Sequence, residues 1–162
     1  MTRLTFLSPS SAGSGVAIRS PLQRAAADGI VDVSHLGKLE LRGPLEPFEP
    51  GPGEELLRLR PDRGLLVTEG SPAAALERLG GTGIRAYDVT AALAAFEFSG
   101  EDVLRRLTDL DPGKLPAAGS VARGTPAVVA DRGGGTYRIF VAQELGHHVA
   151  LVALDTLAGL GR

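Results

Sequence analysis

Cysteine is absent from all 162 residues. That excludes disulfides, thiol catalysis, Cys-ligated zinc and iron–sulfur clusters, and it fits a cytoplasmic address. Aromatic residues are scarce at 4%, so Leu, Val and Ala must supply most of the packing. No stretch concentrates charge of one sign. Arg and Glu are interspersed, and a net charge of −2 with a pI near 5.9 offers a polyanion such as nucleic acid no basic stripe. Long apolar runs are missing too. The run Val149–Leu154 is cut by Asp155, and the start, MTRLTFLSPSSAGSG, has no apolar core of signal-peptide length. No membrane span is expected.

What is present suffices for a globular fold. Hydrophobic residues make up 43% of the chain, enough for one domain over residues 1–162 or two half-domains sharing a core. Glycine and proline cluster between periodic segments, so they mark turns. Residues 1–20 read as an arm with a short strand at Leu4–Leu7, and Pro21–Asp28 as a turn or two of helix.

The most informative feature is an echo. GIVDVSHLGKLELRG (Gly29–Gly43) returns as GIRAYDVTAALAAFEFSG (Gly83–Gly100). Asp32-Val33-Ser34 aligns with Asp88-Val89-Thr90, and Leu39–Gly43 aligns with Phe96–Gly100, with about one inserted residue in the second copy. Around each copy the grammar is the same. In the first, Leu39–Leu41 alternates with Lys38, Glu40 and Arg42, the period of a half-buried strand. Pro44–Glu55 is a loop. Leu57–Arg60 and Leu65–Thr68 form a hairpin about Pro61-Asp62-Arg63-Gly64. Ser71-Pro72 opens a helix that Gly80-Gly81 stops.

In the second copy Leu93–Phe98 is the strand, and Ser99 with Asp102 suggests a capping box. The helix so opened aligns Val103, Leu107 and Leu110. Lys114–Ser120 reads as loop. A hairpin of Val121–Ala130 and Thr136–Val141 turns at Asp131–Gly135, and a helix over Gln143–Leu160 ends the unit. The expected fold is α+β: two pseudo-repeated strand–hairpin–helix units, about 29–81 and 83–161, joined in a mixed or antiparallel sheet with helices on one face. Chance likeness is the alternative; the shared element order favours a repeat.

Candidate chemistry is thin. Asp32, Ser34 and His35 have the residue types of a nucleophilic triad. Neighbours on an extended segment point to opposite faces, however, and the second copy has alanine where His35 stands. Local hydrogen bonding of Asp32 and Ser34 to backbone is the favoured reading. His147, His148 and Glu144 could suggest a metal, but adjacent helical residues seldom share a ligand sphere, and a solvated helix turn is favoured. Gly133–Gly135 lacks the Lys-Ser/Thr of a phosphate loop, and Gly13-Ser14-Gly15 lacks its strand–turn–helix setting. At Glu54-Glu55, Glu101-Asp102, Asp109 and Asp111 the sequence gives no sign of a raised pKa suited to acid–base work. No catalytic, cofactor-binding or metal-binding residue is assigned.

The repeated segments carry a resemblance. DVSHLGKLELRG (Asp32–Gly43) resembles the early strand motif of the glycine-cleavage aminomethyltransferase, or T-protein, fold. DVTAALAAFEFSGEDVLRRLTDLDPGKLPAAGSVARG (Asp88–Gly124) and TYRIFVAQELGHHVALVALDTL (Thr136–Leu157) resemble the gamma subunit of heterotetrameric sarcosine oxidase. Asp109-Leu110-Asp111, Leu115-Pro116, Gly119 and Ala122-Arg123 carry it most closely. Such oxidases demethylate sarcosine to glycine, passing the one-carbon unit to tetrahydrofolate or releasing formaldehyde, with peroxide formed. The resemblance implies a non-catalytic assembly subunit with alpha, beta and delta partners. FAD, FMN, NAD, zinc and folate chemistry would lie in those partners, not in this chain. The alternative is a free-standing folate- or small-molecule-binding protein of the same fold. Phe48, Leu56 and the outer faces of both hairpins are candidate interface residues, with core packing the alternative for each.

Overall fold

A computed structural model of the chain describes Ser20, Leu22, Ala25 and residues 29–161. The expected strand at Leu4–Leu7, the Gly13-Ser14-Gly15 turn and most of Pro21–Asp28 lie outside these residues.

Among the described residues nine strands form two antiparallel sheets. The strands are β1 (Ile30–Asp32), β2 (Gly37–Arg42), β3 (Glu54–Arg60), β4 (Arg63–Thr68), β5 (Arg85–Asp88), β6 (Leu93–Ser99), β7 (Ala117–Val121), β8 (Thr125–Gly133) and β9 (Thr136–Ala142). The helices are α1 (Pro72–Leu79), α2 (Glu101–Leu107) and α3 (Gln143–Gly159). The first sheet runs β1-β6-β9-β8-β7 and the second β5-β2-β4-β3.

Side-chain alternation along the strands sorts the core into three layers. Phe96, Phe98, Ile139 and Val141 point from the first sheet to Val103, Leu107, Val149 and Ala153 of α2 and α3. Ala95, Ala130 and Phe140, from the opposite face, meet Leu57, Leu65 and Val67 of the second sheet. Leu39, Leu41 and Leu66 pack against Ala75 and Leu79 of α1. The α+β class and the antiparallel hairpins stand as expected. The strands nevertheless make two stacked sheets rather than one, with helices on both outer faces. Each sheet has two apolar faces, so each needs a cover on either side.

Several local expectations change. Lys38 is not on a solvated strand face but wholly buried. Lys114–Ser120 starts at the last residue of a 3-10 turn (Pro112–Lys114) and contains most of β7, and the turn before β8 is Ala122-Arg123-Gly124, so Val121 belongs to β7. Ala122 and Arg123 hold φ of 45° and 66°, a region costly for side-chain-bearing residues. Ser99 makes no capping box: α2 starts from Gly100 without a side-chain cap, and Ser99 Oγ lies 3.4 Å from Thr136 Oγ1. Leu110 lies past the end of α2, packing on the core from the loop. Ser71 occupies the N-cap of α1 but makes no capping bond. The β8–β9 turn falls within the triple glycine as expected but is shorter, Gly134-Gly135, because β8 continues past a register shift to Gly133, where Asp131 Oδ1 accepts from Gly133 N–H at 2.7 Å.

Phe48 and Leu56 pack in the core, the alternative to an interface role. Phe48 is buried in the α1 layer, Arg78 lies 5.5 Å from its ring centroid, and Leu56 packs against the same cluster. The hairpins present no free apolar face either, because both faces of each are core layers.

Gly37 shows how closely α1 sits on the second sheet. A Cβ there would meet Thr68 Cγ2 at 2.6 Å and the Pro72 ring at 2.7 Å. Gly37→Ala is expected to cost about 1–3 kcal/mol, the usual range for overpacking. Urea unfolding would test it; a cost below about 0.5 kcal/mol would mean that α1 shifts freely.

Candidate functional site

The two copies of the Asp-Val-Ser/Thr motif are brought together at the junction of the sheets. Asp32 Oδ1 accepts from Ser34 N–H at 2.9 Å, and Asp88 Oδ1 accepts from Thr90 N–H at 2.9 Å. Each turn then grips the strand that follows the other turn. Val33 N–H donates to Ala95 O at 3.0 Å, and Ala95 N–H donates to Ser34 Oγ at 3.0 Å. In reply, Val89 N–H donates to Lys38 O at 2.9 Å, and Lys38 N–H donates to Thr90 Oγ1 at 2.9 Å. Lys38 and Ala95 are the aligned positions of the echo. The pairing of β1 with β6 and of β5 with β2 continues the exchange. Asp32 and Ser34 are thus occupied in backbone bracing, and His35 is exposed beside them. No triad forms here.

Lys38 sits within this brace. Its Nζ donates to Leu36 O at 2.7 Å, Ser34 O at 2.8 Å and Thr90 O at 3.4 Å, tying both turns together. Burial pushes its pKa down to about 8, against the opposing pull of Asp88 and Asp32. Burial alone would raise the Asp32 carboxyl, but hydrogen bonds from Ser20 and Ser34 outweigh it and hold the group below its usual range. An amine enclosed by three carbonyls is a structural tie; no substrate reaches it.

A second charged group spans the sheets. Arg138 of β9, 6% exposed, donates to Glu97 of β6 through Nη2 at 2.6 Å and Nε at 2.9 Å, and to Glu55 of β3 through Nη1 at 3.2 Å. Arg132 adds contacts to Glu55 at 2.5 Å and Glu97 at 3.6 Å. The group lies beside a cleft of about 240 Å³ lined also by Leu36, Gly53 and Glu69. Sequence reading passed over it. The available signal was one charge of opposite sign in each of two apolar strands, Phe96-Glu97-Phe98 and Tyr137-Arg138-Ile139.

The remaining candidates separate. Glu54 pairs with Arg78, and Glu101 pairs with Arg105 at 2.6 Å. Asp111 caps the 3-10 turn through Gly113 N–H at 3.0 Å. Among the described residues no group of His, Cys, Asp and Glu could hold a metal ion. Glu144 and His148 are exposed, whereas His147 is half-buried with Nδ1 unpartnered. His148 instead faces a cavity of about 730 Å³ between the β7–β8 turn and α3, shared with Arg123, Thr125, Asp155 and Thr156. No helix among the described residues is long and apolar enough to cross a membrane.

No known protein family and no curated protein matches the sequence. The fold does have a solved counterpart. This chain is similar to a chain of the heterotetrameric sarcosine oxidase from Corynebacterium sp. U-96, solved in complex with pyrrole 2-carboxylate. The TM-score is 0.69 at 18% sequence identity, and the likeness covers 90% of this chain and 97% of that one. The chain has the fold of a component of that heterotetramer.

Proposed function

We propose that this chain is a non-catalytic, gamma-type subunit of a sarcosine-oxidase-like complex, which oxidatively demethylates a secondary amine and passes the one-carbon unit to tetrahydrofolate. The observation that carries the reading is the extent of the fold likeness: it runs over nearly all of both chains, so it concerns the whole arrangement and not one common motif. In this reading, alpha, beta and delta-like partners hold FAD, FMN, NAD, zinc and the folate site.

The chain itself is read as two related units, about 29–81 and 83–161, on an aminomethyltransferase-like plan. The reciprocal Ser34–Ala95 and Thr90–Lys38 braces support this. So do the positive φ angles at the aligned Gly43 and Gly100, and the matching orders β1-β6-β9-β8 and β5-β2-β4-β3. A duplicated unit that exchanges its first strand with its twin would produce all three features.

The test is affinity purification of the tagged chain from its native cells, read by mass spectrometry and flavin absorbance. Flavin-bearing partners and sarcosine-dependent peroxide are expected. Recovery of the chain alone, without flavin, would overturn the subunit reading. The cavity beside His148 favours a second reading, a free-standing folate- or small-molecule binder, because its size suits a small ligand. Calorimetric titration with tetrahydrofolate distinguishes the two.

A further inference from the structure

At one end of the second sheet the register lines up four arginines. Arg60 of β3 pairs with Arg63 of β4, Arg63 with Arg42 of β2, and Arg42 with Arg85 of β5. Directly opposed residues of an antiparallel ladder project to the same face, and although Arg60 follows a register shift in β3, the hollow that all four line places the side chains in one row across four adjacent strands. At about 4.8 Å per strand the row is about 14 Å long. All four are exposed, and together with Gly43 and Asp62 they line a hollow of about 320 Å³.

Like charges placed directly opposite each other destabilise a sheet, so stability alone does not account for this row. Glu40 offsets part of the repulsion. It accepts from Arg42 at 2.9 Å and from Arg63 at 3.0 Å. Arg60 and Arg85, at either end, have no ion-pair partner among the described residues. Tyr87, 47% exposed and two residues from Arg85 along β5, lies under the Arg42 guanidinium at 5.7 Å. The result is a partly preorganised Arg–Tyr surface, made of residue types enriched among interface hot spots. Its local charge is positive on a chain whose net charge is −2.

We infer that this arginine row is the docking surface for an acidic, carboxylate-bearing segment of a partner protein. Guanidinium forks match carboxylates in bidentate geometry. Alternate residues of an extended segment lie about 6.6 Å apart, so a segment crossing the strands sets three carboxylates along the row. Glu40 and Asp62 within the patch repel a dense polyphosphate more than a sparse acidic peptide. The partner assignment rests on the subunit reading above; the affinity of the row for carboxylates does not.

The test compares the wild-type chain with Arg60→Glu/Arg85→Glu and with the charge-matched control Arg105→Glu/Arg106→Glu on α2. Binding of a fluorescent hexaglutamate peptide is measured by anisotropy at low and at physiological salt. The Arg60/Arg85 variant is expected to bind about tenfold or more weakly, and the wild-type affinity to fall with salt, as exposed charge contacts do. The control should match wild type. Circular dichroism checks that each variant folds, which is expected because neither Arg60 nor Arg85 closes an ion pair here. Equal binding by all three proteins would overturn the inference, as would tighter binding of tripolyphosphate than of hexaglutamate. The same variants then enter the affinity purification. Partners captured equally by wild type and the Arg60/Arg85 variant would overturn the docking role while leaving the subunit reading intact. Absence of partners with wild type would overturn the subunit reading and, with it, the docking role, while a peptide affinity that depends on Arg60 and Arg85 would still stand.

Discussion

Replacing Arg138 by Met is expected to lower the unfolding free energy by about 3 kcal/mol, toward the low end of the cost of breaking a buried ion pair. The guanidinium is nearly inaccessible and holds Glu97 of its own sheet and Glu55 of the other. Its removal leaves two partly buried carboxylates facing one another. Arg132 stays within reach of both, which keeps the loss from being larger. The double variant Arg138→Met/Glu97→Leu removes the orphaned charge along with its partner. It should recover to within about 1 kcal/mol of wild type, because apolar replacement of a whole buried pair is often neutral. Urea unfolding of the two single variants and the double variant closes the cycle. A single-variant cost below about 1 kcal/mol would mean that the sheets are held by the Phe140–Leu65 layer alone and that the ion pairs are incidental.

The second large effect is a pH dependence centred on Lys38. Its pKa is about 8 in the folded chain and near 10.5 when solvated. Below pH 8 both states carry the proton, and the burial penalty is felt in full. Between pH 8 and 10.5 the unfolded state binds more protons than the folded one, so stability climbs with pH. The gain at the top of this window is about 3 kcal/mol. Tyr137, raised above its usual range by burial with help from Glu101 and Asp131, contributes the opposite trend above pH 10. Comparison with Lys38→Met cancels that term. The difference in unfolding free energy between wild type and Lys38→Met should therefore rise from pH 7 to pH 10.5. A flat difference would mean that the amine is solvated. Chemical labelling gives an independent check, because the chain has only two lysines, Lys38 and Lys114. Amine-reactive ester at pH 9 should modify Lys114, whose side chain is 82% exposed, and spare Lys38 until the protein unfolds.

The elements legible in the sequence are those defined by local chemistry. The β3–β4 hairpin followed from alternation on either side of a Pro-Asp turn. The β8–β9 hairpin followed from a triple glycine, whose positive φ angles suit no other residue as well. Helix α3, expected over Gln143–Leu160, runs Gln143–Gly159. The Asp-Val-Ser/Thr echo was also visible, as was the expectation that Asp32 and Ser34 serve the backbone rather than a reaction.

What only the tertiary structure decided lies at longer range. Strands β1 and β5, three and four residues long, are too short to show a period, and they exist because β6 and β2 are there to pair with. Alternation told which residues of β2 share a face with Lys38, but not that a second sheet would cover that face at Lys38 and leave it open at Arg42. The same limit hid the Arg138 group and the arginine row. Both depend on register between strands distant in the chain, and register is fixed by the packing of whole layers, not by any single segment.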